Sequence, residues 1–74
     1  MKIELEVPDY YNETAANACA TLVSVLVESG KVEVLHDDVD RHNNRITHIK
    51  TDDEAVAAML EAFCDFDCFI FRKL

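Results

Sequence analysis

The chain has one glycine, one proline and no tryptophan among its 74 residues. A lone Gly30 cannot build a glycine-rich phosphate cradle, and a lone Pro8 leaves no proline-rich linker between domains. Cys19, Cys64 and Cys68 are an odd number of thiols without a CxxC spacing. Neither a disulfide framework nor a redox motif is therefore encoded, and all three read as reduced packing residues. The longest apolar stretch, residues 15–27, is interrupted by Asn17, Thr21 and Ser24 and falls short of the roughly 20 apolar residues of a membrane span. Met1-Lys2-Ile3-Glu4 alternates polar and apolar residues where a signal peptide needs a continuous apolar run, so a cytoplasmic location and no membrane contact are expected.

Half of the residues are hydrophobic and 30% are charged, with 15 acidic against 7 basic side chains for a net charge of −8. That is enough apolar surface to offset the ordering entropy, so residues 1–74 are expected to fold as one domain. A deep cleft walled by a second layer does not fit this length. An acidic surface is repelled by phosphate backbones and attracted to basic protein surfaces, so direct nucleic-acid binding is disfavoured.

Lys2 to Val7 alternates, with Ile3, Leu5 and Val7 on one face and Lys2, Glu4 and Glu6 on the other, as in a half-buried strand ended by Pro8 and Asp9. Over residues 12–29 the polar Thr14, Asn17, Thr21, Ser24 and Glu28 recur at helical spacing and define a solvent stripe. The residues between them read as buried, and Gly30 provides the left-handed stop. Residues 31–36 alternate again with Val32 and Val34 facing the core, and residues 44–50 read as a partner strand. Asn43-Asn44 suits a two-residue turn with positive backbone angles. Ile46 and Ile49 point to opposite faces of a regular strand, which requires either a bulge or an apolar residue on the open face. Thr51 and Glu54 have the spacing of a capping box. Val56, Met59, Leu60 and Phe63 follow as an apolar stripe ending near Cys64, and residues 66–74 read as a last strand, apolar on both faces.

The order strand, helix, strand, strand, helix, strand is the ferredoxin-like βαββαβ pattern: an α+β fold with a four-stranded antiparallel sheet in the order 4-1-3-2 and both helices on one face. Chain direction then sorts the charges. The exit of the first strand, the hairpin tip and the exit of the second helix share one end, which gathers Asp9, Glu13, Asp37, Asp38, Asp40, Asp65 and Asp67 with only Arg41 and Arg45. The opposite end gathers Lys2, Lys31, Lys50, Arg72 and Lys73 with Glu28, Asp52, Asp53 and Glu54, and is nearly balanced. Turn chemistry alone favours aspartate in such loops, yet seven carboxylates at one tip repel one another unless a cation or a basic partner neutralises them. Asp37, Asp38, Asp40, Asp65 and Asp67 are therefore candidate partner-binding residues. Glu4, Glu6 and Glu33, projecting from the uncovered sheet face, join them as mimics of a run of phosphates.

Two other readings attach to particular segments. The segment from His36 to His42 offers oxygen and imidazole ligands for a divalent metal or a small cationic ligand. It is not an EF-hand loop, which opening at Asp38 would need glycine at Asn43 and glutamate at Ile49. Phe69, Ile70 and Phe71 lie on an edge strand and suit either a homodimer contact or simple filling of the core. No catalytic motif and no cofactor motif is present, so neither an enzyme nor a cofactor is expected.

Several families with this element order fail on the residues they need. Copper chaperones carry paired cysteines after the first strand, where this chain has Pro8-Asp9-Tyr10-Tyr11, and RNA-recognition motifs need stacking aromatics and a basic surface. In size, acidity and small α+β build, the whole chain resembles the small phage-encoded inhibitors, anti-CRISPR proteins among them, several of which act as DNA mimics. The resemblance is one of general character and rests on no motif. It implies a non-enzymatic protein of the host cytoplasm whose carboxylates occupy a basic, nucleic-acid-binding surface of another protein.

Overall fold

The computed structural model describes residues 1–9 and 13–74. The elements are β1 (Lys2–Val7), α1 (Glu13–Glu28), β2 (Glu33–Val39), β3 (Arg45–Lys50), α2 (Glu54–Phe66) and β4 (Ile70–Lys73). The four antiparallel strands form one sheet ordered β2-β3-β1-β4, which read from the other edge is the expected 4-1-3-2 of a ferredoxin-like fold. The expected start of the first helix at Asn12 lies outside the described residues.

Strand alternation and register agree. Ile3 pairs with Ile49 and Leu5 with Phe71, on the face that the helices cover, and Ile3, Leu5 and Ile49 are fully buried. The helices contribute unequally to this core. The second buries Val56, Ala57, Leu60 and Cys64, whereas the first buries only Cys19 and Leu26. The polar stripe of α1 faces solvent as expected, but Ala18, Ala20, Val25 and Val27, expected inside, are exposed with it. On α2 the buried stripe is turned slightly from its expected position: Ala57 is inside and Met59 is 42% exposed.

Both helices stop in the same way. At the end of α1 the Gly30 amide donates to the Val27 carbonyl and the Lys31 amide to the Leu26 carbonyl, with Gly30 at φ 75°. At the end of α2 the Cys68 amide donates to Asp65 and the Phe69 amide to Cys64, with Cys68 at φ 59°. This is the paired hydrogen-bond pattern of a left-handed helix stop, and the accompanying apolar contact is supplied by Phe69 packing on Phe63 at 6.2 Å between ring centres. Nothing in a non-glycine residue announces such a stop. The helix consequently runs to Phe66 rather than ending near Cys64, the last strand begins only at Ile70, and Cys68 is exposed rather than packed.

Two local expectations need correction. Asp53, not Thr51, caps α2, its carboxylate accepting from the Ala55 and Val56 amides. Thr51 is buried instead, donating to the Lys31 carbonyl at 2.8 Å and accepting from the Asp53 amide at 3.1 Å, so it joins the end of α1 to the start of α2. The hairpin turn is not a two-residue Asn43-Asn44 turn. Asp40 and Asn44 close a loop through Arg41, His42 and Asn43, and of the two asparagines only Asn43 takes a positive φ, 62°.

The choice posed by Ile46 and Ile49 resolves as the apolar residue on the open face. Strand β3 runs regularly and leaves Ile46 on the open face opposite Glu6, while a bulge between Val34 and His36 falls in β2. Val34 does face the helix side opposite Ile49, but it is 41% exposed because α1 leaves the edge strand uncovered.

Candidate functional site

Strand directions bring the three aspartate-bearing turns to one end of the sheet. Val7 lies opposite Arg45, which lies opposite Val39, so the exit of β1 and the hairpin tip are neighbours. Two hydrogen bonds join them: the Asp9 amide donates to Asn44 Oδ1 at 3.1 Å, and the Asn43 side chain donates to the Asp9 carboxylate. The exit of α2 stands at the same end, because β4 begins there with Ile70 opposite Glu6.

The carboxylates at this end differ in what holds them. Asp37 accepts two hydrogen bonds from Arg45, at 2.6 and 3.1 Å, and one from Thr47 at 3.0 Å. The Arg45 guanidinium holds the Asp37 carboxyl below its ordinary range, so Asp37 is electrically neutralised. Asp40 organises its own loop, its Oδ1 accepting from the His42 and Asn44 amides at 2.8 and 2.9 Å, and those backbone donors lower its pKa. Asp38 accepts from the Val39 amide at 2.8 Å and is exposed.

Asp65 and Asp67 sit in the last turn and cap of α2, where no basic residue stands. The negative end of a helix dipole disfavours further negative charge by about 0.3–1 kcal/mol per residue at the surface. Among the described residues, Asp38, Asp65 and Asp67 have no ion-pair partner.

The open sheet face is less negative than its glutamates alone suggest. Glu4 lies in register with His48 on one side and Arg72 on the other. Its carboxylate is 3.0 Å from His48 Nε2 and also accepts from Arg72, which reaches Glu6 at 3.2 Å. The His48 contact, then the Arg72 contact, hold the Glu4 carboxyl below its usual range. Glu4 and Glu6 thus share one guanidinium and are only part-exposed. Glu33 is exposed but lies opposite Lys50, at the end away from the aspartates. Of the eight carboxylates singled out from sequence, the fold sets the five aspartates toward one end of the sheet, Asp37, Asp38 and Asp40 at its β2 edge and Asp65 and Asp67 on the β4 side, and leaves Glu33 at the other end. Arg72 and His48, which sequence reading did not attach to Glu4, become visible only through the strand register.

The cysteines offer no accessible low-pKa nucleophile in the core. Burial pushes the Cys19 thiol up and raises Cys64 to about 12, which keeps both protonated at neutral pH. Phe69 is buried and Phe71 packs against the core, so on the β4 edge a homodimer contact is left with Ile70 and the main chain. Among the described residues, no three His, Cys, Asp or Glu side chains stand close enough together to hold a metal ion, and no helix is long and apolar enough to cross a membrane. The chain matches no family model, no curated protein and no solved structure.

Proposed function

We propose that this domain is a non-enzymatic, cytoplasmic inhibitor or adaptor whose aspartate-rich tip occupies a basic, nucleic-acid-binding surface of another protein, in the manner of DNA-mimic inhibitors including anti-CRISPR proteins. The observation that carries this reading is the placement of Asp65 and Asp67 at the negative end of α2 without a cation, at the same end of the sheet as Asp38 and Asp40. Such an arrangement costs stability inside the chain and no ion pair among the described residues offsets it, whereas a lysine- or arginine-rich surface provides an offset on binding. Charges held apart on a rigid sheet and helix end present a fixed spacing to that surface, which favours specificity and rapid association. Direct nucleic-acid binding is disfavoured by the same field.

A divalent metal or small cationic ligand at the same tip has weaker support, because Asp40 spends its oxygens on its own loop and Asp37 on Arg45. The test is affinity capture of the tagged domain from lysate, followed by elution with a salt series and with oligonucleotide. The reading expects a basic nucleic-acid-binding protein that is released by salt and displaced by DNA or RNA. Capture that survives high salt, or that involves only acidic proteins, contradicts it.

A further inference from the structure

Strand β2 is an open edge of the sheet, and all seven of its residues, Glu33–Val39, are exposed. Its two faces differ in character. On the helix side lie Val34 and Val39, together with Asp37, whose charge Arg45 cancels. Beside them, between α1 and the sheet, runs a groove of about 360 Å³ whose apolar lining includes Val7, Val23, Val27 and Val34. Val27, Val34 and Val39 are each more than 40% exposed. On the open side lie Glu33 and Asp38, which have no ion pair among the described residues.

We propose that the β2 edge receives an extended segment of a partner protein as a fifth strand, with alternating apolar and basic residues. An added strand places successive side chains on opposite faces. Its apolar residues would meet Val27, Val34 and the groove, and its lysines or arginines would meet Glu33 and Asp38. The choice of occupant follows from charge. Pairing with a second copy of this chain would set Glu33 and Asp38 of both copies along one strip of the open face, and like charges so placed oppose association. The bulge between Val34 and His36 shortens the regular edge, which limits indiscriminate pairing without closing it. This proposal rests on the reading of a basic partner above and specifies how part of that partner docks.

The experiment is an NMR titration of the isotope-labelled domain with three synthetic probes: an octapeptide alternating valine and lysine, octalysine, and the alternating peptide N-methylated throughout. The expected result is binding of the alternating peptide about tenfold or more tighter than of octalysine, which corresponds to about 1.4 kcal/mol. Amide shifts and exchange protection should concentrate on residues 33–39, and N-methylation should abolish the gain. Equal binding of the two unmethylated probes, with shifts at Asp65 and Asp67, would overturn the strand proposal and leave the charge reading standing. No binding of any probe would overturn both. Protection of residues 33–39 that grows with protein concentration before any peptide is added would assign the edge to a second copy and overturn the proposal.

Discussion

Arg45 Nη2 lies 2.6 Å from Asp37 Oδ2 across the β2–β3 hairpin, and this pair sets Asp37 apart from Asp38, Asp65 and Asp67, which have no ion pair among the described residues. Its two side chains are 54% and 35% exposed, so solvent screening keeps its contribution modest despite the two-pronged geometry. A double-mutant cycle with Arg45→Met and Asp37→Asn should return a coupling of about 0.5–1 kcal/mol in urea unfolding. A coupling of zero would mean that Asp37 is as available to a partner as Asp38.

Acid should weaken the fold through Glu4 and Asp37. Both carboxyls titrate below their ordinary values of 4.5 and 3.8 in the folded protein, because His48 and Arg72 hold the first and Arg45 the second. Stability from these groups is complete above their ordinary pKa values and is lost as pH falls through the lowered folded ones. Urea midpoints measured between pH 6 and pH 3 should therefore fall, and Glu4→Gln should flatten part of that fall. An identical pH profile in the variant would contradict the assignment.

Cys68 occupies a left-handed position that glycine adopts at little cost. Cys68→Gly should raise stability by up to about 1 kcal/mol, and Cys68→Val should lower it. The exposed Cys68 should also be the one thiol that a maleimide labels in the native state, with Cys19 and Cys64 labelled only on unfolding.

Thr51 bridges two elements through one buried hydroxyl. Thr51→Val keeps the volume but leaves the Lys31 carbonyl and the Asp53 amide without that partner. A loss of about 1–3 kcal/mol is expected in thermal or urea unfolding, large for a domain of this size. Thr51→Ser should retain most of the stability.

The parts of the fold that were legible in the sequence are those where a local rule and the global topology agree. The alternation of β1, the solvent stripe of α1 and Gly30 each have a periodicity or a backbone reason that tertiary packing leaves intact. Cys68 was not legible, because no side-chain preference marks it as a left-handed stop. Thr51 and Asp53 compete as caps for one helix. Burial of the threonine between α1 and α2, a long-range contact, settles the competition for Asp53. Val34 has the pattern of a core residue and lies on the correct face, but edge position, which pattern does not encode, leaves it exposed. For the candidate site, chain direction alone was enough to gather the aspartates. Knowing that Glu4 and Glu6 share the Arg72 guanidinium required the pairing register.

Binding at the aspartate tip is decided most directly by the salt dependence of affinity for the captured partner, measured with the natural chain and with the combined variant Asp38→Asn, Asp65→Asn, Asp67→Asn. Removing Asp65 and Asp67 from the negative end of α2 should leave the variant folded and at least as stable, so a loss of binding cannot be assigned to unfolding. The expected result is affinity that falls steeply with salt in the natural chain, and a variant that binds more weakly with a shallower dependence. Equal affinities and equal salt slopes for the two proteins would contradict docking through this tip.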